Sequence, residues 1–217
     1  VDGPALARWL MQDHSRRDQI MAAALAALAG FVDAVGFLAS GGLFISFMSG
    51  NSTRLGIGLA EASRFALLAG SLLAAFVAGV TLATLVGRQL QHKRRRSQLL
   101  LVAGLLAAGA ALALSGQTWP GLLLAAMAMG AENCVFEAGG DVKISLTFMT
   151  GNLVKIGQRL GLALSGGPAF AFVPWLLLWL AMIGGAVAGA LAWPWLGLAN
   201  LAVAALVAAG LALVIDA

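Results

Sequence analysis

One cysteine, two histidines and nine acidic residues are all that 217 residues offer to disulfide, metal and acid–base chemistry. The lone Cys134 can close no internal disulfide, so it says nothing about redox compartment. His14 and His92 both fall in predicted cytoplasmic ends, and no His/Glu pair has ligand spacing; an enzyme, a metal centre and a cofactor are therefore not expected. Charge is equally scarce: 10% of residues are charged against 61% hydrophobic, and the mean hydropathy is +0.94. No ordinary soluble domain could hide so much apolar surface in one core, which leaves an integral membrane protein. The net charge of +4 does not point to nucleic acid, because the basic residues cluster at the ends of apolar runs, where they orient a protein in the bilayer.

Glycine, by contrast, is abundant, with 28 residues, and two of them sit in a sentence written twice. Phe47-Met48-Ser49-Gly50-Asn51-Ser52-Thr53-Arg54 returns as Phe148-Met149-Thr150-Gly151-Asn152-Leu153-Val154-Lys155. Matched Gly-interrupted segments in the two halves of an apolar chain point to a transport pathway. The resulting division is a cytoplasmic N-terminal segment 1–18, a first membrane repeat 19–115 with a basic cytoplasmic loop 88–97, and a second repeat 116–217. Residues 1–4, which lack an initiator Met, are expected to include a cloning scar. A cleaved signal peptide is not expected, because the run after Arg16 and Arg17 continues through Asp33 into the first signature.

A spanning helix needs about 20 mostly apolar residues. Six stretches qualify: 20–39, 65–87, 98–115, 119–138, 170–193 and 195–215. The signature segments 40–62 and 141–163 are apolar but interrupted, and charge decides between crossings and hairpins. Arg8, Arg16 and Arg17 belong on the same cytoplasmic side as Arg88 and Lys93 to Arg96, which requires an even number of crossings between them. The expected fold is thus an all-α polytopic membrane protein with six transmembrane helices, two re-entrant or broken segments, an inverted internal repeat and both termini cytoplasmic. Each hairpin leg of about ten helical residues would rise roughly 15 Å, half the hydrocarbon thickness.

The halves match beyond the signature, Gly30-Phe31-Val32-Asp33-Ala34 aligning with Gly130-Ala131-Glu132-Asn133-Cys134. With these motifs the chain resembles the YoaK-like family of bacterial membrane proteins (domain of unknown function 1275), whose pattern has Gly-x-x-Asp-Ala, Met-Thr-Gly-Asn, Gly-x-Gln-Asn-Ala and Thr-Gly-Asn. Ser49, Glu132 and Cys134 depart from that pattern. The resemblance implies a polytopic protein of the bacterial inner membrane and brings no substrate.

At a hairpin tip, Gly50 and Gly151 would turn the chain with positive φ or tight approach, and Asn51 and Asn152 would cap the returning half-helix. Ser49, Ser52 and Thr150 add hydroxyls, and Arg54 and Lys155 reinforce the positive helix end, which suits an anion or a carbonyl group. With Asn133, these residues form the expected solute site; the alternative is a tight packed turn with snorkelling bases. Asp33, deep in the first span, costs at least roughly 2.5 to 3.5 kcal/mol if left bare, so it is either a proton or ion carrier or a structural partner of Arg54. Glu132 is the second ion-coupling candidate, with Lys143, Lys155 and Arg159 as possible partners. Asn133 and Glu137, four apart, would share a helix face, and Glu137 and Asp141 read as a solvated helix terminus.

Phe37, Phe44, Phe47, Phe136 and Phe148 read as packing or as apolar gates. The Gly185/Gly189 GxxxG pair serves internal packing or a homo-oligomer. Trp119, Trp175, Trp193 and Trp195 read as interface anchors, and residues 5–11 as a surface-lying segment. The expected partners are the bilayer and a small-molecule solute. The expected function is a secondary transporter of a small polar or anionic solute, proton-coupled through Asp33. The alternative is a passive channel built on paired half-helices.

Overall fold

The computed structural model describes residues 16–138, 141–142 and 149–215. Among the described residues eight α-helices follow in order: α1 Arg16–Ser40, α2 Met48–Ala60, α3 Arg64–Gln89, α4 Arg94–Leu114, α5 Thr118–Glu132, α6 Met149–Leu164, α7 Val173–Leu196 and α8 Asn200–Val214. Three-residue 3-10 turns at Gln91–Lys93 and Gly197–Ala199 join α3 to α4 and α7 to α8. A minimal antiparallel ladder pairs β1 Glu137–Ala138 with β2 Asp141–Val142. Four helical runs are long and apolar enough to cross a membrane: α1, α3, α4 and the continuous stretch Val173–Val214. Within that last run the backbone turns at Gly197, whose φ of +50° is open to glycine at little cost.

The order helix, short helix, long helix, 3-10 turn, helix occurs twice, and the packing repeats with it. The principal partner of α1 is α7 from the other half, that of α3 is α5, α2 lies on α3 and α6 lies on α7. Glycines make these seams close. A Cβ at Gly185 would land on the Ala27 carbonyl, 2.6 Å from its carbon, and one at Gly79 would stand the same 2.6 Å from the Met127 carbonyl carbon. Gly30 and Gly130 repeat the relation from the other side, each 3.0 Å from a carbonyl carbon, of Met182 and Phe76 respectively. The GxxxG pair therefore packs internally: Gly185 faces Ala27 and Gly189 faces Phe31. Since both numbers rise together, α1 and α7 run parallel. So do α3 and α5, because Met127 meets Gly79 while Cys134 reaches Val80 and Thr84.

Polar contacts mark one end of the bundle. Arg95 donates to Asp18 at 2.6 Å and lies over the Phe136 ring at 5.2 Å, which gathers the starts of α1 and α4 and the end of α5. Arg16, Gln19 and Ile20 share a groove with Pro174 and Leu177, so α7 starts there too, and Gly87 near the end of α3 meets Arg94 and Gln98. Helices α1, α4 and α7 leave this basic end, and α3 and α5 return to it. Consequently α2 lies in the connection between two helix ends at the far end, and α6 in the connection between two at the basic end. Large apolar side chains such as Leu67, Val77, Leu177, Leu191, Leu206 and Leu213 are exposed around the outside.

Several expected boundaries move. The helix expected at 119–138 stops at Glu132, so Asn133 is its C-cap and Glu137, in β1, shares no helix face with it. The last break falls at Gly197 rather than near Trp193, because α7 continues through Pro194 to Leu196. Residues 5–11, His14, Lys143 and Phe148 lie outside the described residues.

Candidate functional site

The first interrupted segment differs from the expected pair of half-helices. After Ser40 the chain turns through Gly41 and Gly42, with φ of +72° and +116°, and Gly42 N–H closes the helix by bonding Phe37 O at 2.9 Å. The Ser40 hydroxyl donates to Leu43 O at 3.0 Å and accepts Leu43 N–H at 2.9 Å, so the departing strand is folded back against the helix end. Residues 43–47 then descend without helical bonds, and α2 starts at Met48. Only the returning leg is helical.

The descending leg is held by a carboxylate. Asp33, 4% exposed, accepts the backbone N–H groups of both Ile45 and Ser46 on Oδ1, each at 2.7 Å. Asp33 lies seven residues before the end of α1, so the grip is about 10 Å below that end. The Ser46 hydroxyl lies beside the same carboxylate without reaching hydrogen-bond geometry. Non-helical amides away from water need such partners. The expected alternative of an Asp33–Arg54 ion pair is not what forms: the Arg54 guanidinium packs instead beside Gly42, where a Cβ would stand 3.3 Å from it.

Asn51 holds the leg from the other side. Its Oδ1 accepts Phe44 N–H at 2.9 Å and its Nδ2 donates to Phe44 O at 2.6 Å, a two-point match to one residue's backbone. It is the fourth residue of α2 and fully buried, while Phe47 is the N-cap; the expectation of an Asn cap is corrected. Gly50 and Gly151 are helical and do not have positive φ. The reason for Gly50 is close approach, since a Cβ there would sit 2.7 Å from the Phe44 ring. Phe44 meets Phe37 in a tilted contact and Phe47 edge to face, with centroids 5.0 and 6.0 Å away, so these aromatics pack the leg.

The second half repeats part of this. Asn152, also the fourth residue of its helix and 5% exposed, donates to Met149 Sδ at 3.4 Å, as Asn51 does to Met48 Sδ at 3.6 Å. Asn133, the counterpart of Asp33, bonds Met129 O at 2.9 Å. Lys155 does not mirror Arg54: its Nζ sits 3.9 Å from the centroid of Trp175, which is 5% exposed and so is no interface anchor. Ser49, Ser52 and Thr150 are exposed, and Ser52 bonds back to Met48 O at 2.9 Å. The two Gly-Asn helices have different principal partners, α3 and α7, rather than each other. Glu132 is completely buried and neither carboxylate oxygen has a hydrogen-bond partner among the described residues, so Lys155 and Arg159 do not pair with it.

The model of a protein family described as "Protein of unknown function (DUF1275)" matches residues 21–214, nearly the whole described bundle. The chain belongs to this family. It is also 34% identical over 175 residues to a UPF0700 transmembrane protein of Rhizobium meliloti (strain 1021), which covers 78% of this chain and 73% of that relative. No solved structure matches it. As a member of a transmembrane family with apolar crossing-length helices, it is a membrane protein.

Sequence reasoning read Phe44 only as packing or a gate and missed that its backbone is matched by Asn51; it also missed Gln98, fully buried at the start of α4 with Nε2 on Ala83 O at 3.3 Å. A glutamine inside an apolar run was the available signal for the second. Nothing in the sequence signalled the backbone role of Phe44, because a backbone match to Asn51 does not depend on its side chain.

Proposed function

We propose that this protein is a secondary transporter of a small polar or anionic solute in the bacterial inner membrane, with Asp33 coupling its movement to protons. The observation that carries the reading is the double hydrogen bond from Ile45 and Ser46 to Asp33. Helix α1 packs on α7, which carries α6, whereas the leg held by Asp33 leads into α2, which packs on α3 and hence α5. Asp33 thus sits where two helix groups meet, and each group is closed by its own glycine seam. Protonating the carboxylate weakens two charge-assisted hydrogen bonds, worth about 1.5 to 3 kcal/mol each, and lets the groups separate.

The same geometry supports a membrane orientation. With the basic end cytoplasmic, α1, α3, α4, α5, α7 and α8 are six crossings, and α2 and α6 enter and leave by one face each. The halves then have opposite orientation, the inverted repeat of many alternating-access carriers. Support comes from the Asp18–Arg95 bond, which joins the two basic groups at one end, and from the parallel α1–α7 pair. The solute would meet the exposed hydroxyls of Ser49, Ser52 and Thr150 once Asn51 and Asn152 are released.

The test is uptake into proteoliposomes under an imposed proton gradient, screened first by thermal shift against metabolites and inorganic anions. Asp33→Asn is expected to retain ligand binding and lose uphill uptake, which an uncoupler abolishes in the unmodified protein. Normal accumulation by Asp33→Asn would remove the coupling role, and unsaturable flux without a gradient would favour the channel.

A further inference from the structure

We propose that Glu132 and Gln98 form a site for one monovalent cation, a proton or a sodium ion, in the seam between α4 and α5. Three buried oxygens there have no hydrogen-bond donor among the described residues: both carboxylate oxygens of Glu132 and Oε1 of Gln98. Both residues are 0% exposed.

The helix register brings them level. Helices α4 and α5 form an antiparallel hairpin in which Gly109 and Gly121 face each other, a Cβ on either falling 2.6 to 2.8 Å from the other's carbonyl oxygen. At the opposite end of the same seam Arg95 lies over Phe136. Gln98 precedes Gly109 by eleven residues and Glu132 follows Gly121 by eleven, three helical turns each, so both lie on the stripes that face one another. Gln98 is fixed from the third side, its Nε2 donating one of its two N–H groups to Ala83 O of α3 at 3.3 Å, which leaves the carbonyl oxygen open. Gly87 permits this approach, since a Cβ there would be 2.9 Å from that nitrogen.

Charge then requires a positive partner. A buried carboxylate with no donor is retained only if it is neutralised. Glu132 is also the last residue of α5, where the negative end of the helix dipole favours a cation and opposes an anion. The charged groups on the helices packed against α5 are Arg64 and Arg88 on α3, Arg94, Arg95 and Arg96 on α4, and Arg16, Arg17, Asp18 and Asp33 on α1. Arg95 is bonded to Asp18, Asp33 holds the Ile45 and Ser46 amides, and none of them bonds Glu132. An acceptor-only set of three oxygens is the chemistry of a proton shared between carboxyl and amide, or of a hard cation held by oxygen. The site is separate from the Asp33 grip and does not depend on the transport reading, because its test is binding rather than flux.

The experiment uses the full chain in nanodiscs at neutral pH, with infrared spectra and melting curves in sodium-free choline buffer and in sodium chloride. A protonated carboxyl band in choline that Glu132→Gln removes establishes the proton. A saturable rise in melting temperature with sodium, absent in matched choline and in Glu132→Gln, establishes sodium. Gln98→Leu is expected to shift that band or to weaken sodium about tenfold; if it does neither, the proposed pair is refuted. An ionised Glu132 in choline with no sodium response also overturns the site, and this measurement on the unmodified protein stands even if a variant fails to fold.

Discussion

Replacing Gly185 by Ala tests the account of how the bundle is closed. The new methyl would lie 2.6 Å from the Ala27 carbonyl carbon and closer still to its oxygen, against roughly 3.5 to 4.0 Å for carbon atoms in contact. Helices α1 and α7 would therefore have to part by about 1 Å, and both atoms concerned are backbone-fixed, so no rotamer relieves the clash. Overpacking of this kind costs about 1 to 3 kcal/mol. The adjacent Gly184 is the control: a Cβ there meets nothing within 4 Å, and Ala is the better helix former by about 1 kcal/mol. Because both variants gain that helix propensity alike, they should differ by the overpacking cost alone, about 1 to 3 kcal/mol, or roughly 2 to 12 °C in melting temperature for a chain of this size. The assay is thermal unfolding of purified protein followed by circular dichroism or by monodisperse recovery on a sizing column. Equal melting temperatures for Gly184→Ala and Gly185→Ala would refute the close α1–α7 approach. Loss of a dimer with an unchanged monomer melting point would instead mean that the GxxxG pair faces another copy.

Gly79→Ala should cost the same as Gly185→Ala, because Met127 receives its methyl as Ala27 receives the other, and the double variant should be additive within about 0.5 kcal/mol since the seams are separate; melting curves of the four proteins check both statements. Asn51→Ala leaves Phe44 N–H and O unpaired and should lose about 2 kcal/mol or more, while Asn51→Asp, which keeps the acceptor and loses the donor, should still lose about 1 kcal/mol, read from the same curves. Arg95→Ala breaks a partly exposed pair and should lower stability by no more than about 1 kcal/mol, a loss that high salt erases. A single cysteine at position 95 should react with impermeant reagent only from the cytoplasmic face, and one at position 61, beyond the end of α2, only from outside; labelling of both from one side would invalidate the orientation.

What the sequence made legible was whatever rests on composition and repetition. Long apolar runs announced the helices, the duplicated Gly-Asn motif marked the two short ones, and the correspondence of Asp33 with Asn133 was visible by alignment of the halves. Hidden features depend on contacts between distant residues. No local pattern says that α1 seeks α7 rather than α3, because Gly30 and Gly185 look like any small residues in a membrane helix until their carbonyl partners are known. Gly50 illustrates the same gap: a glycine beside an asparagine reads as a turn, yet here it is helical and small because the Phe44 ring lies on it. Asn51 was legible as a polar residue that ties down a broken segment. Its actual partner, the Phe44 backbone, replaced the expected free helix amide.

On the proposed transport reading, these contacts separate holding the bundle together from letting it move. The glycine seams lie within each helix group, α1 with α7 and α3 with α5, whereas the Asp33 bonds lie between the groups. Asp33→Asn keeps an acceptor oxygen at the same place, so Ile45 and Ser46 lose charge assistance but not their partner. At about 1 kcal/mol lost per bond, the leg should open roughly 10 to 100 times more often while the seams stay closed. Hydrogen exchange at the amides of Ile45 and Ser46 should accelerate by that factor in Asp33→Asn, with exchange in α7 around Gly185 unchanged. Gly185→Ala should do the reverse, loosening α7 and leaving the Asp33 grip protected until the whole protein melts. Should Asp33→Asn instead loosen α7 and the leg to the same degree, the carboxylate would be a plain structural tie with no role as a joint.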